Sequence, residues 1–106
     1  INVSGTTVNF TSGNMTGNWL SAFARSKVIW NFHEATNIFL DRNFNGAILA
    51  PNAALRNTTA IDGSVFVKSL QQDGEIHLPN FAGYIPTPGT AALLALAGLT
   101  AARRRR

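Results

Sequence analysis

Two pairs of residues in this 106-residue chain have the types and spacing to carry chemistry: His33 with Glu34, and Glu75 with His77. Two imidazoles and two carboxylates suffice to ligate a zinc or iron ion, or to divide the roles of general acid and general base. The condition is that folding brings the two segments together. Zinc–ligand bonds of about 2.0–2.2 Å cannot join imidazoles more than ~10 Å apart. Glu75 and His77, two positions apart, share one face of a strand if that segment is extended. The competing reading of this pair is a polar network that locks the last strand onto the one before it. A second candidate is Asp41-Arg42-Asn43-Phe44-Asn45-Gly46. Asp41, Asn43 and Asn45 place side-chain oxygens at the first, third and fifth positions of a calcium loop, with glycine at the sixth. The twelfth position is Asn52 rather than a bidentate Glu, and a turn using the positive φ of Asn45-Gly46 explains the same letters.

No Gly-x-Ser-x-Gly elbow and no phosphate-cradling glycine loop occurs, so hydrolase and nucleotide chemistry have no starting residues. The chain has no cysteine, which removes disulfides, thiol nucleophiles and sulfur-ligated zinc. These residues call for no cofactor and point away from an enzyme. The alternative is a metal-dependent binder or enzyme built on His33, Glu34, Glu75 and His77. Trp19, Trp30 and Phe39 are either platforms for sugars or core aromatics.

The elements that must position these residues are mostly strands. Ile1–Phe10, Lys27–Phe32, Asn37–Leu40, Ala47–Ala50, Ser64–Lys68 and Glu75–Leu78 are rich in β-branched and aromatic residues, and Ser12-Gly13-Asn14, Asn45-Gly46, Asp62-Gly63 and Asp73-Gly74 supply turns. One helix is expected from about Asn18 to Ser26, with Trp19, Leu20 and Phe23 on one face. Phe44-Asn45-Gly46-Ala47-Ile48-Leu49-Ala50 is echoed 17 residues later by Ile61-Asp62-Gly63-Ser64-Val65-Phe66-Val67. A period of that size suits a β-solenoid, whose passes bury their apolar faces only by stacking. An antiparallel sandwich is the competitor. The unbroken apolar runs Ile48-Leu49-Ala50 and Val65-Phe66-Val67 favour strands buried on both faces, as in parallel sheets. The fold class expected is therefore all-β, an irregular β-solenoid, followed by a C-terminal hydrophobic α-helix.

That helix lies in the tail. The formal charge is +4, yet Arg103, Arg104, Arg105 and Arg106 carry all of the excess, so the body is neutral. A neutral body with no basic stripe argues against a nucleic-acid partner, which needs several phosphates neutralised along one face. Between Pro86-Thr87-Pro88-Gly89 and the arginines run thirteen uncharged residues, 90–102. As a helix they rise ~20 Å against a hydrocarbon core of ~30 Å. Snorkelling arginines extend that reach and hold the terminus on the cytoplasmic side. Residues Ala91 to Ala102 are apolar all round apart from Thr100, which leaves no polar face for water.

Proline pair, short apolar helix and terminal arginines resemble the PEP-CTERM sorting signal of exported bacterial proteins, departing from it at Thr87, where the family has Glu. The resemblance implies recognition by an exosortase-like membrane processing enzyme at Pro86, Thr87 and Pro88, and passage through the inner membrane on 90–102. Arg103–Arg106 then serve as the membrane stop and topology signal. In the body, Lys27-Val28-Ile29-Trp30-Asn31-Phe32, Glu34-Ala35-Thr36, Gly46-Ala47-Ile48-Leu49-Ala50-Pro51-Asn52-Ala53, Gly63, Glu75-Ile76-His77, Phe81 and Gly83 resemble the C-terminal half of the choice-of-anchor A domain. That bacterial surface module is grouped with ice-binding-like adhesive domains of β-solenoid type, and a PEP-CTERM tail is one of its anchors. The implied organisation is an adhesive domain over 1–83, whose first half and signal peptide lie upstream, a linker over 84–89, and the sorting helix with its arginine tail over 90–106. The implied protein is exported, held transiently in the inner membrane and then displayed at the surface, with an extracellular or matrix ligand that the sequence does not name. An ice-binding face would need threonines in register on successive passes, whereas Thr6-Thr7 and Thr58-Thr59 are isolated pairs.

Overall fold

A computed structural model describes residues 1–84 of the chain. The sorting motif Pro86-Thr87-Pro88, the apolar run 90–102 and Arg103–Arg106 lie outside the described residues. No helix among the described residues is long and apolar enough to cross a membrane.

The strands are β1 (Thr7–Phe10), β2 (Ile29–Asn31), β3 (Asn37–Leu40), β4 (Phe44–Asn45), β5 (Ala47–Asn57), β6 (Ile61–Asp62), β7 (Val65–Gln72) and β8 (Ile76–His77). Every pairing between them is parallel, which removes the antiparallel sandwich. One sheet runs β1-β3-β5-β2 with β7 also on β5, and a second runs β4-β6-β8. The echo is the pairing itself: Phe44 lies beside Ile61 and Ile48 beside Val65. Later pairings have a shorter offset, since Ile61 pairs with Ile76 and Ala54 with Ser69, 15 residues on.

Parallel registry stacks like on like, which builds the core in columns. Phe44, Ile61 and Ile76 form one, Trp30, Ile48 and Val65 a second, and Val8, Ile38, Leu55 and Leu70 a third. Leu40, Ile48, Leu55 and Ile61 are fully buried. The corners are set by glycine. Gly46 and Gly63 have φ of +113° and +154°, and a Cβ on Gly63 would overlap the backbone of Gly46, so the two corners stack without side chains between them. Gly46 N–H donates to Asp62 O at 3.0 Å, and Gly63 N–H to His77 O at 3.1 Å.

Several boundaries differ from expectation for identifiable reasons. Ile1–Phe10 is a strand only over Thr7–Phe10, with Asn2 making an isolated parallel bridge to Asn31. Strand β5 continues past Ala50 to Asn57, accommodating Pro51 by a register shift between Ala50 and Ala54. The expected helix is broken in two, a 3₁₀ turn at Gly17–Leu20 and α1 at Ala22–Lys27. Ser21 breaks it by adopting extended backbone (φ −73°, ψ 156°) and capping α1, its hydroxyl accepting from Ala24 N–H at 3.2 Å. Burial on both faces holds for Ile48-Leu49-Ala50, where Leu49 is half-buried, but fails at Phe66, which is 63% exposed. Phe66 pairs with Leu49 and shares its outward orientation, and among the described residues no second layer fully covers that face.

Candidate functional site

The four residues proposed for a metal or acid–base centre do not assemble. Glu34 Oε1 accepts the Gly5 amide at 2.7 Å, where it ties the β2–β3 connection to the N-terminal segment, and His33 is exposed. Glu75 immediately precedes β8, which is shorter than the expected Glu75–Leu78, and His77 ends it; the pair makes a different contact set. Among the described residues no group of three or more His, Asp or Glu is arranged to hold a metal ion.

What forms instead is a polar column along the outer face of β4-β6-β8. Phe44, Ile61 and Ile76 point into the core, so their neighbours Asn45, Asp62 and His77 point out, in register with one another. His77 Nδ1 is 2.9 Å from Asp62 Oδ1, and its Nε2 is 2.6 Å from Glu75 Oε2. The shared strand face of Glu75 and His77, legible from their spacing, is thereby realised. Its hydrogen bond to the Glu75 carboxylate, then that to Asp62, raises the His77 pKa above its ordinary 6.5. From α1, Arg25 Nη2 approaches Asp62 Oδ2 at 4.0 Å. Exposure grades along the column, from Asn45 at 0% and Asp62 at 8% to an exposed His77. Among the described residues the Asn45 side-chain amide has no hydrogen-bond partner, although its backbone carbonyl accepts from Trp30 Nε1 at 3.0 Å. Asp62 and Arg25 were missed in the sequence; the signal that finds Asp62 is its place 15 residues before His77, which becomes visible only once the pass length is known.

The calcium reading gives way to a strand and a corner. Asp41 Oδ1 accepts the Thr58 hydroxyl, Asn43 is exposed, and Asn45 is wholly buried. Alternation along β4 turns Asn45 away from the side that Phe44 occupies, and Asp41 is engaged by Thr58 instead of an ion.

The aromatic candidates divide. Trp30 stacks against Phe44 and Trp19, with centroids 5.3 and 5.1 Å apart, and Phe39 is half-buried beneath the Arg56 guanidinium at 5.5 Å. Trp19 is at the rim, with Leu20 and Phe23 exposed beside it. Another open surface is a groove of about 700 Å³ along β7 and β8, lined by Phe66, Leu70, Leu78 and His77 among others. Both surfaces expose apolar side chains to solvent. None of the polar groups described above is a nucleophile paired to a base.

Residues 1–78 match the family model described as "Putative Ice-binding-like adhesive domain". No curated protein and no solved structure matches the chain significantly.

Proposed function

The chain belongs to the family of ice-binding-like adhesive domains, and from that premise we propose that it is a non-enzymatic, exported surface module whose stacked strands present binding surfaces to a matrix or cell-surface ligand. The observation that carries this reading is the family match over residues 1–78. The parallel pairings, with their recurring 17- and 15-residue offsets, support an irregular β-solenoid as the architecture. The segments Ile48-Leu49-Ala50-Pro51-Asn52-Ala53 and Glu75-Ile76-His77 support the narrower assignment to the choice-of-anchor A type.

The order Pro86-Thr87-Pro88, uncharged 90–102 and Arg103–Arg106 supports a sorting role for the tail. In this scheme the apolar run parks the exported chain in the inner membrane with the arginines inside, and an exosortase-like enzyme cuts near Pro86–Pro88 to release the module. Surface protein from the native host is expected to lack Arg103–Arg106 by intact mass. Replacing Pro86 and Pro88 with alanine is expected to leave full-length protein in the membrane fraction. Surface protein that retains its arginine tail overturns the cleavage step. Unchanged attachment of cells to matrix after deletion of the gene overturns the adhesive role.

A further inference from the structure

The 3₁₀ turn Gly17–Leu20 and α1 expose apolar side chains that the core does not use. Phe23 is 66% exposed, Leu20 46% and Trp19 36%. Asn18, Trp19, Ser21, Phe23, Ala24 and Val28 line a shallow depression of about 430 Å³ between them. Within the segment that forms this patch, the charged side chains are basic. The first acidic residue of the chain is Glu34, and the only charged side chains before it are Arg25 and Lys27, apart from the terminal amine. Arg25 turns toward Asp62, so the exposed Lys27, one helical turn from Phe23, is the cation at the rim. The third observation is where the described chain leaves the domain. Ala82 N–H donates to Ser26 O at 2.8 Å, which pins the exit segment to the end of α1, and Tyr84, 86% exposed, follows two residues later. The 22 residues beyond Tyr84, with their apolar run 90–102, therefore depart from beside this patch.

We propose that the face formed by the 3₁₀ turn and α1 docks on a phospholipid bilayer surface, with Trp19, Leu20 and Phe23 in the headgroup region and Lys27 against anionic lipid phosphates. Exposed aromatic and aliphatic side chains beside a cation are the composition that lies in a membrane interface, and tyrosine at the junction with an apolar run is an interfacial anchor. Such contact orients the module on the membrane while the tail is held there. The inference rests on the reading of the tail as a membrane segment, because that tail brings the patch to the bilayer.

The test uses the full chain with vesicles of phosphatidylethanolamine and phosphatidylglycerol containing lipid brominated high in the acyl chains. The chain has two tryptophans, Trp19 and the half-buried Trp30. Emission is expected to shift to the blue and fall roughly twofold on vesicle binding, as for an interfacial indole. In Trp19→Phe, which leaves Trp30 as reporter, that quenching is lost. In Phe23→Ser/Lys27→Glu, quenching of Trp19 weakens while the protein still floats with the vesicles. Flotation with Trp19 emission unchanged from the lipid-free protein overturns the docking face and leaves the tail reading intact. Failure to float at all overturns the tail reading and the docking face with it. A shift of Trp19 emission with soluble dextran but not with vesicles overturns the proposal in favour of a glycan site.

Discussion

A methyl group on Gly63 would overlap the Gly46 carbonyl, 2.6 Å from its carbon and 3.2 Å from Ala47 N, none of which can move without opening the stack. Gly63→Ala is therefore expected to cost about 3 kcal/mol, measured as a fall in urea stability with unchanged m-value. At His77 the expectation concerns pH. Glu75 and Asp62 favour the imidazolium and raise its pKa above 6.5 in the folded chain. The raised folded value means that the stabilisation is complete below pH 6.5 and is lost as pH rises through the folded pKa. Denaturation midpoints should fall with rising pH above that point, and His77→Gln should remove that part of the slope. An unchanged slope in the variant would show that other groups set it. The i, i+2 spacing of Glu75 and His77 made their contact legible in the sequence. Asp62 was not legible as their partner, because its nearness depends on the length of an intervening pass.

Elements inherit their stability from the layers on either side of them. Ile61 sits at 0% exposure between Phe44 and Ile76 in register, so Ile61→Ala opens a cavity inside a column and should cost about 3 kcal/mol. Phe66, larger but 63% exposed on the outward face of β7, should cost under about 1 kcal/mol when cut to alanine. Thermal or urea unfolding of the two variants side by side checks the ordering, and equal losses would mean that the outward face is covered in solution. Strand pairing was legible here because the echo of apolar, Asn or Asp, Gly, small residue and apolar run recurs at the offset that the register uses. The break in the helix was not legible. Its apolar spacing runs through Ser21, and only the competition between helix continuation and capping at that residue decides the matter.

Across the whole molecule protection should follow the stack. Strand β5 has β2 and β3 on one side and β7 on the other, whereas β7 has a single neighbour among the described strands. Native-state hydrogen exchange on the full chain should therefore find the amides of β5 slowest, with β1 and β7 exchanging sooner. Equal protection of β7 and β5 would place a further layer over β7. Leu70, last in the column of Ile38 and Leu55, is 41% exposed while Leu55 is buried, which is the same gradient in side-chain form.

The sequence by itself determined the extended backbone, the glycine corners, the 17-residue recurrence and the placement of the excess charge at the terminus. These follow from local sterics and composition, which act over a few residues and need no knowledge of what lies alongside. The packing of the strands decided which polar residues meet: His77 with Asp62 rather than His33, Glu34 with the Gly5 amide, and Asn45 buried rather than around an ion. In a parallel stack each side chain's neighbours are the residues one pass away. A change of one or two residues in a corner moves every later contact, so the register, and with it the site, is settled only when the passes pack.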